Sequence, residues 1–200
     1  MMQPMLAVLA ATALASAAPS HAADAVNAAY LAAQRVPVPG VLVSAQRLTD
    51  TAGEHILVLS HGPASDPYHL RAAYFNRSGA GWKQEWAIRD GVDCPGLDAD
   101  ASFFPAAVTF TDLNRDGRME ITVSYRLFCG GGIDPYTIKV ILRDGATKLA
   151  IRGESLVRMK GAEPFGGGHQ YDKALLAPAN AAYKQHLDRV WRAVSRDDRD

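Results

Sequence analysis

The sequence predicts a mainly β domain of the α+β type, with a single antiparallel sheet or meander and a flanking helix at each end. Three patterns lead to this prediction. Residues 119–127 alternate between apolar and polar side chains without a break, which indicates a strand. Two further alternating segments flank Asp144-Gly145, a dipeptide typical of tight hairpins. Residues 180–196 place apolar side chains at helical spacing.

The N-terminal half predicts one short helix and four strands. The helix covers 24–35, with Asp24 as its N-cap, and the prolines of VPVPG (36–40) end it. The strands cover 41–47, 55–60, 68–76 and 82–88, and Ser78-Gly79 makes the last turn between them. The second strand is apolar on both faces, whereas the last two each predict one apolar face, comprising Tyr68, Leu70, Ala72 and Tyr74, and then Trp82, Trp86 and Ile88.

The C-terminal half predicts a strand, a hairpin and a helix. One face of the 119–127 strand is apolar, and continuing its parity predicts that Cys129 is buried. The hairpin joins 136–143 to 147–152. The helix is expected to dock through Tyr183, Leu187, Val190, Trp191 and Val194. The final RDDRD (196–200) predicts a solvated tail.

The first 22 residues predict a secretory signal peptide. They contain no charged side chain, and an apolar run over 6–18 precedes the small-residue site Ser20-His21-Ala22. The n-region lacks Lys and Arg, so an Ala-rich helix belonging to the fold is the alternative. We therefore expect residues 23–200 to be one exported globular domain, periplasmic or secreted. No later segment has the length and hydropathy of a membrane span.

Charge and cysteine content narrow the range of partners. The chain carries 21 basic and 21 acidic residues with no basic run, which argues against nucleic acid or an anionic membrane as the partner. Cys94 and Cys129 are the only cysteines, and an even number in an exported protein predicts a disulfide. Two free buried thiols are the alternative.

Residues 112–120, DLNRDGRME, predict a calcium site. Oxygen-bearing side chains occupy positions 1, 3, 5 and 9, a glycine occupies position 6, and the carbonyl of position 7 supplies another oxygen. The ligands would be Asp112, Asn114, Asp116, the Arg118 carbonyl and Glu120. The loop resembles the strand-joining calcium loops of FG-GAP and VCBS repeats. A metal-free turn, held by Asx hydrogen bonds, is the alternative.

Catalytic patterns are weaker. RDGVDCPGLDAD contains Asp90, Asp93, Asp98 and Asp100, of which two could serve as the acid–base pair of a glycosidase. A loop rich in Asp, Pro and Gly is more often a set of solvated turns. We assign no catalytic residue from the sequence.

The stretch 82–154 resembles a known group of proteins. It contains Asp-x-x-x-Cys, TDLNRDGxxEITVSY, a second cysteine, IDP, a hydrophobic strand and AIRG, in that order. This order is similar to that of small exported bacterial proteins known as surface polysaccharide biosynthesis proteins. The resemblance implies an envelope setting and a pairing of Cys94 with Cys129.

These patterns together predict a non-catalytic exported domain that binds an envelope glycan or protein, or has a structural role there, and is linked to surface polysaccharide. The alternative is an enzyme that acts on envelope polysaccharide through the carboxylates of 90–100 or 112–120.

Overall fold

The computed structural model describes residues 23–199, so the predicted signal peptide lies outside the described residues. Its first sheet is antiparallel, and its five strands follow one another in chain order. These are β1 (Asp24–Ala25), β2 (Val41–Asp50), β3 (Gly53–His61), β4 (His69–Ser78) and β5 (Gly81–Gly91). The central β3 is buried from His55 to Ser60, as its apolar sequence predicts.

A second antiparallel sheet follows. It contains β6 (Asp98–Phe103), β7 (Thr109–Thr111), β8 (Glu120–Gly130), β9 (Thr137–Asp144) and β10 (Thr147–Glu154). Strands β10, β9, β8 and β6 lie side by side in that order, and β7 also pairs with β8. The predicted hairpin is β9–β10, where Asp144 pairs with Thr147 and Gly145-Ala146 makes the turn. Gly145 has φ +50, a conformation that glycine adopts without strain.

The remaining strands are short. They are β11 (Leu156–Met159), β12 (Phe165–Gly166), β13 (His169–Tyr171) and β14 (Arg196–Arg199). Strand β13 extends the second sheet beside β10, whereas β11 lies between β12 and β14 in a third sheet. The prediction of a solvated tail was wrong, because the backbone of 196–199 pairs in parallel with β11. Charged side chains do not prevent this pairing, since it uses main-chain groups.

The main core lies between the first two sheets, which pack face to face. The apolar faces of β3, β4 and β5 meet those of β8 and its neighbours. Met119, Ile121, Val123, Tyr125 and Leu127 all belong to this core, which confirms the predicted alternation. The mainly β prediction is thereby confirmed. The prediction of a single sheet was wrong, because alternation reveals which side of a strand is apolar but not which sheet the strand joins.

One helix covers the outer face of each large sheet. They are α1 (Ala28–Ala33) and α2 (Ala181–Val194), and 3₁₀ turns occur at Pro105–Ala107, Lys173–Leu176 and Pro178–Asn180. The predicted docking stripe of α2 is buried against β9 and β10. The N-cap prediction was wrong: Asn27 caps α1 by accepting a hydrogen bond from the Tyr30 amide at 2.9 Å, while Asp24 lies in β1.

A β-bulge overturns one predicted strand face. Trp86 and Ile88 lie in the core between the sheets, but Trp82 packs on the opposite side, near α1. The register shifts between Tyr74 and Phe75, which pair with Trp86 and Gln84. The extra residue in β5 places the side chains before the bulge on the opposite face from the one that simple alternation predicts. Within 23–199, none of the helices has both the length and the apolar character of a membrane-spanning segment.

Candidate functional site

The predicted calcium loop joins β7 to β8 and is held by its own hydrogen bonds. The two carboxylate oxygens of Asp112 accept the amide N–H groups of Asp116 at 3.0 Å and Gly117 at 3.1 Å. The Asn114 side-chain oxygen also accepts the Asp116 amide, at 3.0 Å. Asp116 in turn accepts the amide of Arg118 at 2.8 Å. This arrangement is a set of Asx turns.

Glu120 occupies position 9 of the loop and is buried at the start of β8. Its carboxylate accepts hydrogen bonds from the Leu113 amide at 2.7 Å and, at 3.3 Å, from the Asn114 amide and the Thr111 hydroxyl. Burial raises the pKa of Glu120, although these donors act in the opposite direction. The buried Glu120 carboxylate therefore joins the beginning of the loop to its end through these hydrogen bonds.

The loop is also fastened to the turn between β2 and β3. Asp50 accepts a hydrogen bond from the Met119 amide at 2.9 Å, and the Thr51 amide donates to the Gly117 carbonyl at 3.0 Å. A Cβ atom on Gly117 would lie 2.5 Å from the Thr51 methyl group, so this close approach requires glycine. Asp50 and Thr51 could not be connected with the loop from the sequence, because they are more than 60 residues from it in the chain.

Loop side chains retain the chemistry that calcium prefers. Each carboxylate oxygen of Asp112 and Asp116 has room for more than one hydrogen bond or ligand, and so has the amide oxygen of Asn114. Within residues 23–199, no three side chains of the His, Cys, Asp or Glu type converge to form a metal site. A bound calcium ion would therefore depend on Asn114 and main-chain oxygens, such as that of Arg118, besides the carboxylates.

The two cysteines form the predicted disulfide. Cys94 lies in the connection between β5 and β6, Cys129 lies near the end of β8, and their Cα atoms are 5.5 Å apart. The predicted burial of Cys129 was wrong, because this residue is exposed. Cys129 lies on the same face of β8 as Leu127, but the end of β8 extends past the apolar core.

The acidic residues considered for catalysis are divided between ion pairs and the surface. Asp90 in β5 accepts hydrogen bonds from the Tyr125 hydroxyl, at 2.7 Å, and from Lys139. Burial of Asp90 opposes ionisation, but these two donors outweigh it and its pKa is lowered. Asp100 pairs with Arg126 at 2.8 Å. Asp93 and Asp98 are exposed near the disulfide.

A basic groove lies between the free edge of β5 and the inner face of β9 and β10. Strand β5 is the edge strand of the first sheet, and residues of β9 and β10 in the second sheet line the same cavity beside it. The cavity has a volume of about 320 Å³, within the range of small-molecule sites. Five basic residues and one acidic residue are among those that line it. The described residues of the lining are Ala87, Ile88, Arg89, Asp90, Tyr125, Lys139, Ile141, Arg143, Lys148 and Arg152.

Like charges face each other across the floor of the basic groove. In the β9–β10 register, Lys139 lies opposite Arg152 and Arg143 lies opposite Lys148, on either side of the apolar Ile141–Ala150 pair. Directly opposed like charges destabilise a sheet. Asp90 neutralises Lys139, and Asp172 neutralises Arg152. Within the described part of the chain, the charges of the second pair, Arg143 and Lys148, are not neutralised in this way.

Three groove cations have no ion pair. Among the described residues, no carboxylate lies within 4.0 Å of the charged groups of Arg89, Arg143 or Lys148. The Arg143 Nε atom is buried and has no hydrogen-bond partner within residues 23–199. The Arg143 guanidinium lies over the Trp86 ring, 5.4 Å from the centroid. Burial lowers the pKa of Arg143, an effect that the negative charge of Glu85 partly offsets. The directly opposed Arg143 and Lys148 thus leave unneutralised positive charge at their end of the groove.

The basic groove was not predicted from the sequence, although one pattern in the sequence pointed to it. Basic residues alternate with apolar ones on one face of the predicted hairpin, at 139, 141 and 143 and again at 148, 150 and 152. The hairpin register places the two sets opposite each other. Exposure of this face depends on where the edge of the first sheet lies, which the hairpin sequence does not reveal.

Comparison of the chain with protein-family models, characterised proteins and solved structures gives no match.

Proposed function

We propose that this protein is an exported, non-catalytic domain of the cell envelope that binds an envelope glycan and is linked to surface polysaccharide. The basic groove is the observation that carries the proposal. It combines an open cavity of ligand size with charged side chains that repel one another in the free protein. Groups that destabilise the fold and line a cavity are typical of binding sites.

The disulfide supports the exported setting. Disulfides form and persist in oxidising compartments such as the periplasm and the cell exterior. Cys94 and Cys129 are bonded, and at least one of them is exposed, so a reducing cytosol would have access to the bond. This agrees with the predicted signal peptide of residues 1–22.

We also propose that Asp112–Glu120 binds calcium in a structural role. Asp112, Asn114, Asp116, the Arg118 carbonyl and Glu120 would supply the oxygen ligands. The loop is fastened to the turn after Asp50, so the ion would stabilise the junction of the two sheets. Calcium at about ten times its Kd should add roughly 1.4 kcal/mol of stability.

A thermal melt tests the calcium proposal. We expect millimolar calcium, added after EGTA treatment, to raise the melting temperature of residues 23–200 by a few degrees. Asp116→Ala should abolish this shift, whereas the matched change Asp198→Ala, in β14, should leave it intact. An equal melting temperature with EGTA and with calcium would show that the loop is a metal-free turn.

Fractionation and glycan binding test the proposed function. The protein should be recovered from the periplasm or the medium with Ala23 as its N-terminal residue, and the purified form should bind envelope polysaccharide without cleaving it. Retention of the uncleaved chain in the cytosol would contradict export. Hydrolysis of the polysaccharide that is lost in Asp93→Asn or Asp98→Asn would establish an enzyme instead.

A further inference from the structure

We infer that the basic groove recognises an acidic glycan, a saccharide chain bearing carboxylate or other anionic substituents, rather than a neutral one. The inference rests on the proposed function and specifies its ligand. Arg89, Arg143 and Lys148 present positive charge without an ion-pair partner among the described residues. An anionic ligand would supply the missing counter-charge.

The arrangement of the charges defines two parts of the groove. At one end, Asp90 and Asp172 neutralise Lys139 and Arg152, so the positive charges there already have partners. At the other end, Arg143 and Lys148 are directly opposed. An anionic substituent placed between these two would convert a repulsive contact into two attractive ones.

Arg143 is prepared for this role. Trp86 supports its guanidinium from one side, and the Gly145 carbonyl accepts a hydrogen bond from its Nη2 atom at 3.1 Å. Holding an arginine in place before a ligand arrives lowers the entropic cost of binding. Its Nε atom is buried and has no hydrogen-bond partner in the described structure.

A carbohydrate fits this groove better than a nucleic acid. Nucleic-acid grooves combine basic side chains with aromatic platforms on which successive bases stack. Of the part of the chain that the structure describes, Tyr125 is the one aromatic residue that lines the groove, and its hydroxyl donates a hydrogen bond to Asp90. Between the charged ends, Ile141 and Ala150 are buried in the core, so a ligand would be held by the polar and charged side chains of the groove.

The decisive variant is Lys148→Glu. It removes one groove cation and places a carboxylate opposite Arg143, where an opposite-charge pair stabilises the sheet. We therefore expect weaker ligand binding together with an unchanged or higher melting temperature, a combination that loss of folding cannot produce. Lys160→Glu is the matched control, because it makes the same charge change at an exposed position between β11 and β12.

The binding experiment uses polygalacturonate as the acidic glycan and dextran as the neutral glycan. A single-stranded oligonucleotide serves as a polyanion that is not a polysaccharide. Wild-type protein should bind polygalacturonate, and binding should weaken as salt screens the charges. Lys148→Glu should weaken it at least about tenfold, and Lys160→Glu less than about twofold.

Each other outcome has a defined meaning. If both lysine variants bind polygalacturonate alike, or if dextran binds as well as polygalacturonate, the groove inference is overturned while glycan binding stands. Oligonucleotide binding that is equally tight and equally sensitive to Lys148→Glu would overturn the choice of a glycan. Absence of binding to both glycans and to isolated envelope polysaccharide would reject the proposed function itself.

Discussion

Protonation of His186 should control how the stability of this protein depends on pH. His186 is buried on the sheet-facing side of α2. Its Nε2 atom lies 3.0 Å from the Thr109 hydroxyl and 3.1 Å from the Thr122 hydroxyl. Burial, with a smaller contribution from the positive charge of Arg189, lowers the pKa of His186 to about 4. The neutral ring is therefore the form that the fold accommodates.

The size of the effect follows from this depressed pKa. In the unfolded chain, histidine titrates near 6.5, so a proton added between pH 6.5 and about 4 favours unfolding. The contribution to stability is fully present above pH 6.5 and is lost as pH falls toward 4. At its full extent the loss corresponds to roughly 3 kcal/mol, and about 2 kcal/mol should already be lost near pH 5.

Denaturant unfolding of wild-type protein and His186→Gln, at pH values between about 7 and about 4.5, measures this contribution. Glutamine keeps a polar group beside the two threonines but does not titrate. Stability of the wild type should fall more steeply with acidity, and the difference between the two curves should change by about 2 kcal/mol. Carboxylate titrations affect both proteins and cancel in that difference. Parallel curves, or an NMR titration that places the pKa of His186 near 6.5, would refute the reasoning.

Two further predictions concern the disulfide and the C-terminal strand. Replacing Cys94 and Cys129 by alanine opens a loop with a sequence separation of 35, which should cost roughly 3–4 kcal/mol in denaturant unfolding; a loss below about 1 kcal/mol would show that the unfolded chain gains little freedom. Deleting residues 196–200 removes the parallel pairing with β11 and should cost about 2 kcal/mol, whereas a solvated tail would be lost without a measurable change.

Local patterns in the sequence were sufficient for several elements. The unbroken alternation of 119–127, the Asp144-Gly145 hairpin and the apolar stripe of 180–196 each depend on residues that are neighbours in the chain, and the structure contains all three. The disulfide was predictable for a different reason, since two cysteines allow one intramolecular pairing. These features determine the fold class without any knowledge of tertiary contacts.

Other features were decided only when the two sheets came together. The bulge that turns Trp82 away from Trp86 shifts the register by one residue, and a shift that small leaves no clear pattern in the sequence. The calcium prediction, the predicted signal peptide and the resemblance to surface polysaccharide proteins stay predictions. The hydrogen bond between Asp50 and the 112–120 loop joins segments that are distant in the chain, so local sequence patterns do not reveal it.

The basic groove shows most clearly which features follow from the sequence and which depend on the tertiary structure. The sequence by itself determined that β9 and β10 carry basic side chains on the same face as Ile141 and Ala150. Only the tertiary structure decided that this face is a groove, because the first sheet ends at β5 and leaves part of the second sheet uncovered. Side-chain alternation is a property of one strand, whereas the lateral offset of two packed sheets depends on the packing of the whole core between them.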